Sequence, residues 1–365
     1  MITLTTDFVP KSNLHDNRML KKAIKQFDSS GMLGFLREFP EQVITARKLK
    51  EKPILKNKDA TTGIIFSGLG GSAICGDLFR DVFSDQLAIP VLTNRDYCLP
   101  AWVNQQTLAI LISYSGNTEE TLSTYREARK RKVMIGVVSS GGKLSEMAQK
   151  DRVPLVTVPA GYPPRTALGY LFFGALSLLE SADILKISKP CFSELLQAIH
   201  KTAANNDTQT NFNENPARRL AAALKGTIPI IYSAAFLSGT ATRWKTQIEE
   251  NSKNLAFTGI MPEMNHNEVV GWSCPAKTLK QLSVLFLRDR EDEPQVKKRF
   301  EITRGLLRPR RFCAEVESRS NNRLVRLFST IVFGDWVSYY LALENKTDPT
   351  PVERITQLKK QLANQ

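Results

Sequence analysis

Three stretches of the chain repeat one pattern: a short apolar run, then a loop of small residues, then an amphipathic segment. These stretches are residues 63–79, 108–131 and 133–150. Apolar runs at residues 89–94 and 153–161 bring the β segments of this half to five. Strands that alternate with helices form a doubly wound sheet, because each connection must cross one face of the sheet to reach the next parallel strand. The pattern therefore predicts an α/β fold with a parallel sheet.

The alternation resumes in the second half of the chain, after a polar stretch at residues 200–226 that is rich in Asn and Thr. Strand candidates in this half are residues 227–234, 254–263, 282–289 and 312–318. The second half is therefore predicted to be another α/β layer structure of similar size. Residues 1–60 carry apolar residues at helical spacing, and the chain closes with a buried helix and a last amphipathic helix.

Two of the small-residue loops, GLGGSA at 68–73 and SYSGNTEET at 113–121, lie where a strand passes into a helix. In open parallel sheets ligands bind at this edge, where helix N-termini present unpaired N–H groups that suit phosphate. The loops therefore favour a phosphate-binding site. A capped helix start, in which Ser115 and Thr118 satisfy their own backbone, accounts for the second loop equally well.

The first loop also loosely resembles the GxGxxG fingerprint of dinucleotide-binding proteins, with Gly68, Gly70 and then Ala73 in place of the last glycine. That hypothesis needs an acidic residue about 20 positions further on, at the end of the second strand. Asp96 lies near that position, so NAD binding stays open on spacing alone. A compact phosphorylated substrate makes better use of both loops.

Composition excludes several classes of protein. The five cysteines are scattered without a CxxC pair and there are only three histidines, so we expect a reducing compartment and no metal site. Residues 1–20 lack a secretory apolar core, and the uncharged apolar run at 166–179 is too short to span a membrane. The formal charge is +14, with basic residues clustered at 295–312. No nucleic-acid-binding motif accompanies them, so a nucleic-acid partner is not expected.

The two loops together resemble the sugar isomerase (SIS) domain, a five-stranded parallel α/β fold that holds phosphosugars through Ser/Thr loops. Further segments resemble the bifunctional phosphoglucose/phosphomannose isomerase family and occur in that family's order. They are PPRTALGY (163–170), RWKTQIEENSKNLAF (243–257), MPEMNHNEVVGW (261–272), LRDREDEP (287–294), SYYLAL (338–343) and DPTPVERITQLKKQL (348–362). The resemblance implies a cytoplasmic enzyme of glycolysis and gluconeogenesis that interconverts glucose 6-phosphate, and mannose 6-phosphate, with fructose 6-phosphate.

The same resemblance implies two SIS-type, flavodoxin-like domains with helical extensions at both ends. The expected division is a helical N-terminal extension at 1–60, a first SIS domain at 61–195, a polar linker at 196–217, a second SIS domain at 218–345, and a C-terminal helix at 346–365 that contributes to the site. The family is dimeric, which implies a homodimer with the site near the subunit interface. No metal or organic cofactor is implied.

Aldose–ketose isomerisation moves a proton between C2 and C1 through a cis-enediol, and the resemblance implies residues for each step. It makes Glu250 the base, with the adjacent Glu249 open as a register alternative. Arg165, which follows two prolines on a stiff loop, is the implied cation that stabilises the enediolate. His266 is the implied acid for ring opening and is expected to come from the partner subunit.

Lys359, on the last helix, is implied to assist ring opening, and Lys360 is the alternative that points further outward. Residues implied to hold the phosphate and the sugar hydroxyls are Gly71, Ser72, Ser113, Ser115 and Thr118. Two other hypotheses remain in view. A sugar-phosphate sensor would keep the loops but needs no base, acid and cation together. An isomerase of another phosphosugar, such as an amino sugar, would normally carry an amidotransferase domain, which this sequence lacks.

Overall fold

Two five-stranded β-sheets form the framework of the protein in this computed structural model, which describes residues 2–8, 12, 14–49 and 61–363. The strands within these residues, in chain order, are β1 (Ile2–Thr6), β2 (Gly63–Ser67), β3 (Val91–Asn94), β4 (Thr107–Ser113), β5 (Met134–Ser139), β6 (Leu155–Thr157), β7 (Ile228–Ser233), β8 (Phe257–Ile260), β9 (Leu282–Arg288) and β10 (Phe312–Ser318).

Helices flank both sheets. Those in the first half are α1 (Asn17–Phe27), α2 (Met32–Arg37), α3 (Phe39–Lys48), α4 (Ile74–Phe83), α5 (Glu119–Lys130), α6 (Gly142–Lys150) and α7 (Leu168–Ser181). Those in the second half are α8 (Lys189–Asn206), α9 (Pro216–Leu224), α10 (Ser238–Ser252), α11 (Glu268–Gly271), α12 (Ala276–Leu279), α13 (Pro294–Leu306), α14 (Arg323–Glu344) and α15 (Glu353–Ala363). Within the described part of the chain, none has both the length and the apolar character needed to cross a bilayer.

The first sheet has the strand order β3-β2-β4-β5-β6, and all of its strands are parallel. Successive side chains of a strand point to opposite faces, so a parallel sheet with helices on both faces needs apolar residues throughout its strands. In β4, Leu108 and Ile110 pack into the core on the α7 side, whereas Ala109 and Leu111 pack against α5 and α6. The predicted doubly wound sheet is therefore confirmed.

The second sheet has the order β1-β10-β9-β7-β8. The four strands predicted in the second half are mutually parallel, whereas β1 pairs antiparallel with β10 at the edge. The prediction that the N-terminal extension is wholly helical is therefore wrong for residues 2–6. The segment ITLTT alternates apolar and β-branched polar residues, which suits an edge strand. Residues 50–60 of that predicted extension lie outside the described residues.

The polar stretch that was predicted to be a linker at 196–217 is folded into the second half. The expected boundary after residue 195 falls inside α8, which packs along α14. Two of its asparagines are buried and hydrogen-bonded: the Asn206 Oδ1 accepts from the Ala217 N–H at 3.1 Å, and Asn215 caps α9. These polar residues are thus buried structural groups, which composition alone does not distinguish from a solvated linker. The remaining domain limits stay predictions.

Helix α14 connects the two halves of the molecule. It is buried along nearly its whole length and contacts α8, α9 and α10 as well as α2 and α4. The ring of Trp244 on α10 lies directly against Gly334, where a Cβ would come within 2.2 Å of the indole Nε1. This close approach fixes how α10 lies on α14, and α10 carries the predicted base Glu250.

A buried carboxyl group just after β9 gives a testable consequence for stability. Asp292 is buried and its Oδ2 accepts the Asp289 N–H at 3.0 Å, and burial raises its pKa to about 6. A carboxyl pKa raised in the folded state means that the folded protein binds the proton more tightly than the unfolded chain does. The charged Asp292 therefore lowers stability at pH 7, and this penalty is relieved as the pH falls through 6 towards about 4, the ordinary pKa of an aspartate in the unfolded chain.

We predict that Asp292→Asn raises the free energy of unfolding at pH 7 by about 1–3 kcal/mol, because the amide oxygen still accepts the Asp289 N–H without carrying a buried charge. It should also reduce the gain in stability that the wild type shows between pH 7 and pH 5. Urea unfolding at both pH values measures these effects, with Glu301→Gln on an exposed face of α13 as the control. A variant less stable than the wild type at pH 7 would contradict the prediction.

Candidate active site

The two hydroxyl-rich loops meet at the carboxyl edge of the first sheet. They follow the adjacent strands β2 and β4, whose connections leave in opposite directions, so the loops part and leave a crevice between them. The Tyr114 N–H donates to the Ser72 Oγ at 3.3 Å, which ties one loop to the other. The buried Ser113 hydroxyl lies 2.9 Å from the Thr118 hydroxyl. The structure thus brings the predicted phosphate-binding residues to one edge.

The hydroxyls of the second loop, residues 113–121, fit both predicted roles, which are phosphate binding and local bonding to the backbone. The exposed Ser115 Oγ accepts the Asn117 N–H at 3.3 Å, a local turn contact that needs no ligand. Thr118, at the N-cap of α5, makes no side-chain capping bond, so its hydroxyl does not serve the helix. Gly116 adopts a left-handed φ of 69° and packs against the Gly141 carbonyl, where a side chain has no room. The backbone conformation of this loop is therefore constrained from both sides.

Gly71 brings the first loop against the loop that carries Arg165. A Cβ at position 71 would lie 3.1 Å from the Arg165 Cα and 3.1 Å from the Pro164 carbonyl oxygen. Both neighbours are backbone atoms of the short 3₁₀ turn Pro164–Thr166, which cannot move aside as a flexible side chain can. Glycine is therefore required here for close backbone approach, and not for a left-handed conformation.

Arg165 is 5% exposed, and its guanidinium is held from three directions. Its Nε donates to the Asn251 Oδ1 at 2.7 Å, and its Nη2 donates to the carbonyls of Pro349 and Thr350 at 2.7 and 2.8 Å. The remaining nitrogen, Nη1, lies 3.5 Å from the Glu250 Oε2. Burial lowers the pKa of Arg165, and the Glu250 carboxylate acts in the opposite direction. A guanidinium stays charged at neutral pH, so this is a fixed cation beside a carboxylate.

The structure distinguishes Glu250 from Glu249, the two glutamates that the sequence left open as the predicted base. Glu250 faces Arg165 and keeps 28% of its side chain exposed, so a ligand can reach it. Glu249 instead forms an i,i+4 ion pair with Lys245 at 3.0 Å on another face of α10. The carboxylate beside the buried cation is therefore that of Glu250, and its catalytic role stays a prediction.

A second group of buried polar residues positions Arg165 and Glu250. The Asn251 Nδ2 donates to the Ser338 Oγ on α14 at 2.9 Å, which orients the amide oxygen towards Arg165. Arg243 donates both to the Arg165 carbonyl at 3.1 Å and to Asp335 at 2.8 Å. The sequence reasoning missed these residues. Asp335 had a signal, because a carboxylate inside the apolar run of α14 must have a buried partner.

Lys253 was also missed. It follows α10 in a left-handed conformation, and its ammonium group donates to the carbonyl oxygens of Glu250 and Pro349. Burial lowers its pKa, and the Arg165 charge acts in the same direction. Lys253 thus anchors the end of the helix that carries Glu250 to the segment that also binds Arg165.

His266 and the two lysines of α15 are not brought to this cluster within one chain. His266 follows a 3₁₀ turn, Glu263–Asn265, and its exposed side chain makes no hydrogen bond or ion pair to any described residue. Lys359 and Lys360 are both exposed on α15, so exposure does not separate them. Among the residues that the structure describes, there is also no group of three His, Cys, Asp or Glu side chains that could hold a metal ion.

The corresponding edge of the second sheet is filled by the protein itself. The side chain of Arg326 is 1% exposed at the carboxyl end of β9, where its Nε donates to the Asp289 Oδ2 at 2.7 Å. Its guanidinium also lies 5.5 Å from the ring centre of Phe236, which follows β7. Arg326 thereby occupies the crevice between β7 and β9, whereas glycines and small hydroxyl residues follow β2 and β4 at the corresponding position of the first sheet.

The chain is similar to known proteins over most of its length. It is 39% identical to the bifunctional phosphoglucose/phosphomannose isomerase of Caldicellulosiruptor bescii, with 89% of this chain and 96% of the relative aligned. The chain belongs to the bifunctional phosphoglucose/phosphomannose isomerase family. Identity to the member of this family from Aquifex aeolicus is 35%, over 85% of this chain and 93% of that protein. The resemblance on which the sequence analysis relied is therefore confirmed.

Two further comparisons agree with this family membership. The family model for the bacterial phospho-glucose isomerase C-terminal SIS domain matches residues 213–362. A solved structure of a hypothetical protein from Thermus thermophilus superimposes with a TM-score of 0.72 at 14% identity, covering 94% of this chain and 93% of that one. At that identity the superposition shows the fold alone. The α/β fold expected for the isomerase family is the fold observed.

The close approach at Gly71 gives a prediction for the site. We expect Gly71→Ala to lower kcat/KM for sugar-phosphate conversion by roughly 10–100-fold, because the new methyl group must displace the backbone of the Arg165 turn. Gly34→Ala in α2 is the matched control, since a Cβ there meets nothing within 4 Å. Steady-state kinetics and thermal unfolding of both variants separate a displaced site from a general loss of stability. Equal activity of the two variants would contradict the prediction.

Proposed function

We propose that the protein is an aldose–ketose isomerase that interconverts glucose 6-phosphate, and mannose 6-phosphate, with fructose 6-phosphate. Membership of a family whose relatives are named phosphoglucose/phosphomannose isomerases supports the reaction class. The single observation in the structure that carries the proposal is the Glu250 carboxylate held 3.5 Å from the buried Arg165 guanidinium, on a turn that packs against Gly71 of the first hydroxyl-rich loop.

In this proposal the loops hold the substrate, and the carboxylate and cation carry the chemistry. The N–H groups at the start of α4 and α5, with the Ser115 and Thr118 hydroxyls, bind the phosphate. Glu250 takes a proton from C2 of the open-chain aldose and returns it to C1, which gives the ketose through a cis-enediol intermediate. Arg165 stabilises the negative oxygen that develops during this transfer, and its fixed hydrogen bonds mean that it needs no reorganisation.

His266 and Lys359 are proposed to assist ring opening of the sugar. The active enzyme is proposed to be a homodimer. Support comes from exposed apolar side chains near His266 on and beside β8, which are Leu255, Phe257, Ile260 and Val270. Helix α15 likewise exposes an apolar stripe of Ile355, Leu358 and Leu362 beside Lys359. A second copy of the chain would cover such surfaces and bring its own His266 towards the site. The five unpaired cysteines support a reducing, cytoplasmic location.

The role of Glu250 is tested by a matched pair of substitutions. We expect Glu250→Gln to lower kcat by roughly 10²–10⁴-fold while fructose 6-phosphate still binds, because the amide keeps the shape but cannot accept the proton. Glu249→Gln removes the neighbouring carboxylate, which pairs with Lys245, and should leave kcat within about threefold of the wild type. A coupled assay gives kcat and calorimetry gives binding.

Two results would count against this assignment. Near-normal turnover of Glu250→Gln would remove the base from the mechanism. Wild-type protein that binds fructose 6-phosphate but converts none of it would instead favour the sugar-phosphate sensor.

The origin of His266 is tested by mixing inactive subunits. Glu250→Gln and His266→Gln should each inactivate every site of their own homodimer. In a mixed dimer in which His266 crosses the interface, one site has both substitutions and the other site has neither. Unfolding and refolding an equal mixture should therefore restore about a quarter of wild-type activity. No recovery in a mixture that sizes as a dimer would mean that His266 acts within its own chain, and full activity of His266→Gln before mixing would mean that His266 does not act.

A further inference from the structure

A second cleft, of about 390 Å³, lies in the other half of the molecule. It is bounded by α8, by the first turns of α14 and by the loops that follow β9 and β10. The lining residues that matter here are Lys201, Thr202, Arg290, Arg319, Asn321 and Ser329. Neither Arg165 and Glu250 nor any residue of the two hydroxyl-rich loops lines this cleft. Its volume is within the range of sites that hold a small metabolite.

The cleft wall carries an excess of positive charge. Lys201 is exposed and forms no ion pair with the described residues. Among the same residues, the Arg290 side chain forms a hydrogen bond only to the Asn321 amide oxygen. Arg319 has a loose contact with Glu317 at 3.6 Å and remains exposed. The one carboxylate in the lining, that of Glu194, is already engaged: its oxygens accept the Ser320 hydroxyl and the Asn322 amide, each at 3.0 Å.

The floor of the cleft contains two hydroxyl groups without partners. Thr202 and Ser329 are 5% and 1% exposed, and neither hydroxyl forms a hydrogen bond with the residues described. Serine and threonine in helices usually bond a carbonyl of the preceding turn, as Thr330 on the same helix does with the Arg326 carbonyl at 2.9 Å. The Thr202 and Ser329 hydroxyls make no such bond and lie in the lining of the cleft, so they are available to a ligand there.

The cationic side chains lie at the mouth of the cleft and the two hydroxyl groups lie at its floor. This arrangement indicates which class of ligand the cleft can bind. The cations at the mouth suit a doubly charged phosphate, for which arginine provides paired donors. The unpartnered hydroxyls at the floor suit hydroxyl groups on the rest of the same molecule. We propose that this cleft binds a phosphate monoester of a polyhydroxylated small molecule, at a site distinct from the one beside Arg165. The proposal does not rest on the isomerase activity.

Calorimetric titration of the full chain at low ionic strength, with fructose 6-phosphate as the probe, tests the proposal. Wild type should bind two molecules per chain, and the charge reversal Lys201→Glu/Arg319→Glu should weaken one of them by about tenfold or more without changing the other. Lys189→Glu/Lys21→Glu is the matched control, because both lysines are exposed on helices away from the lining. It should leave both affinities within about twofold.

Ser329→Ala tests separately whether the hydroxyls at the floor of the cleft bind the hydroxyl groups of the ligand. This variant should weaken fructose 6-phosphate binding in the cleft but leave inorganic phosphate binding unchanged, because phosphate reaches only the cations. Insensitivity of all fructose 6-phosphate binding to Lys201→Glu/Arg319→Glu, or equal affinity of the cleft for phosphate and sugar phosphate, would each overturn the proposal. Absence of isomerase activity would leave these binding results unaffected, so the two proposals fail independently.

Discussion

The buried guanidinium of Arg165 is the constraint on which the rest of the site depends. A charged group that is removed from water must have its hydrogen bonds replaced, or the folded state is strongly destabilised. Arg165 obtains these bonds from Asn251 on α10 and from two carbonyls of the segment before α15. Its own turn belongs to the first half of the chain. The hydrogen bonds of the guanidinium therefore form only when its own turn, α10 and the segment before α15 are packed together. Because Glu250 lies on α10, the same packing places its carboxylate beside Arg165.

Packing against α14 fixes the position of α10, and with it the position of Glu250 relative to Arg165. Trp244 lies on Gly334, which sets the height and rotation of α10, and Asn251 and Arg243 then reach Ser338 and Asp335 on the same helix. Interiors as densely packed as this one transmit small changes, because side chains have few alternative positions. A change in α14 should therefore be felt at the carboxylate and the cation, although α14 itself contributes no predicted catalytic group.

The two sheets illustrate how similar folds are used differently. Each has parallel strands with a position where the chain connections diverge, and each could hold a ligand there. In the first sheet glycines and small hydroxyl residues follow the two strands at this position. In the second sheet Arg326 fills it through its ion pair with Asp289 and its stacking on Phe236. The charged cleft beside α8 lies next to this filled position, at the neighbouring strand, and so does not duplicate the first site.

The sequence by itself determined the alternation of strands and helices, the loops at their crossings and the family, because periodicity and motifs are local properties of a chain. It failed at residues 2–6, where a short edge strand pairs with β10 far along the chain, and in the polar stretch before α9, where Asn206 and Asn215 are buried. Only the tertiary structure decided that Glu250 and not Glu249 faces Arg165, and that Ser338 and Asp335 support them. These contacts join residues far apart in sequence, and they depend on how α10 is rotated against α14, which no local pattern specifies.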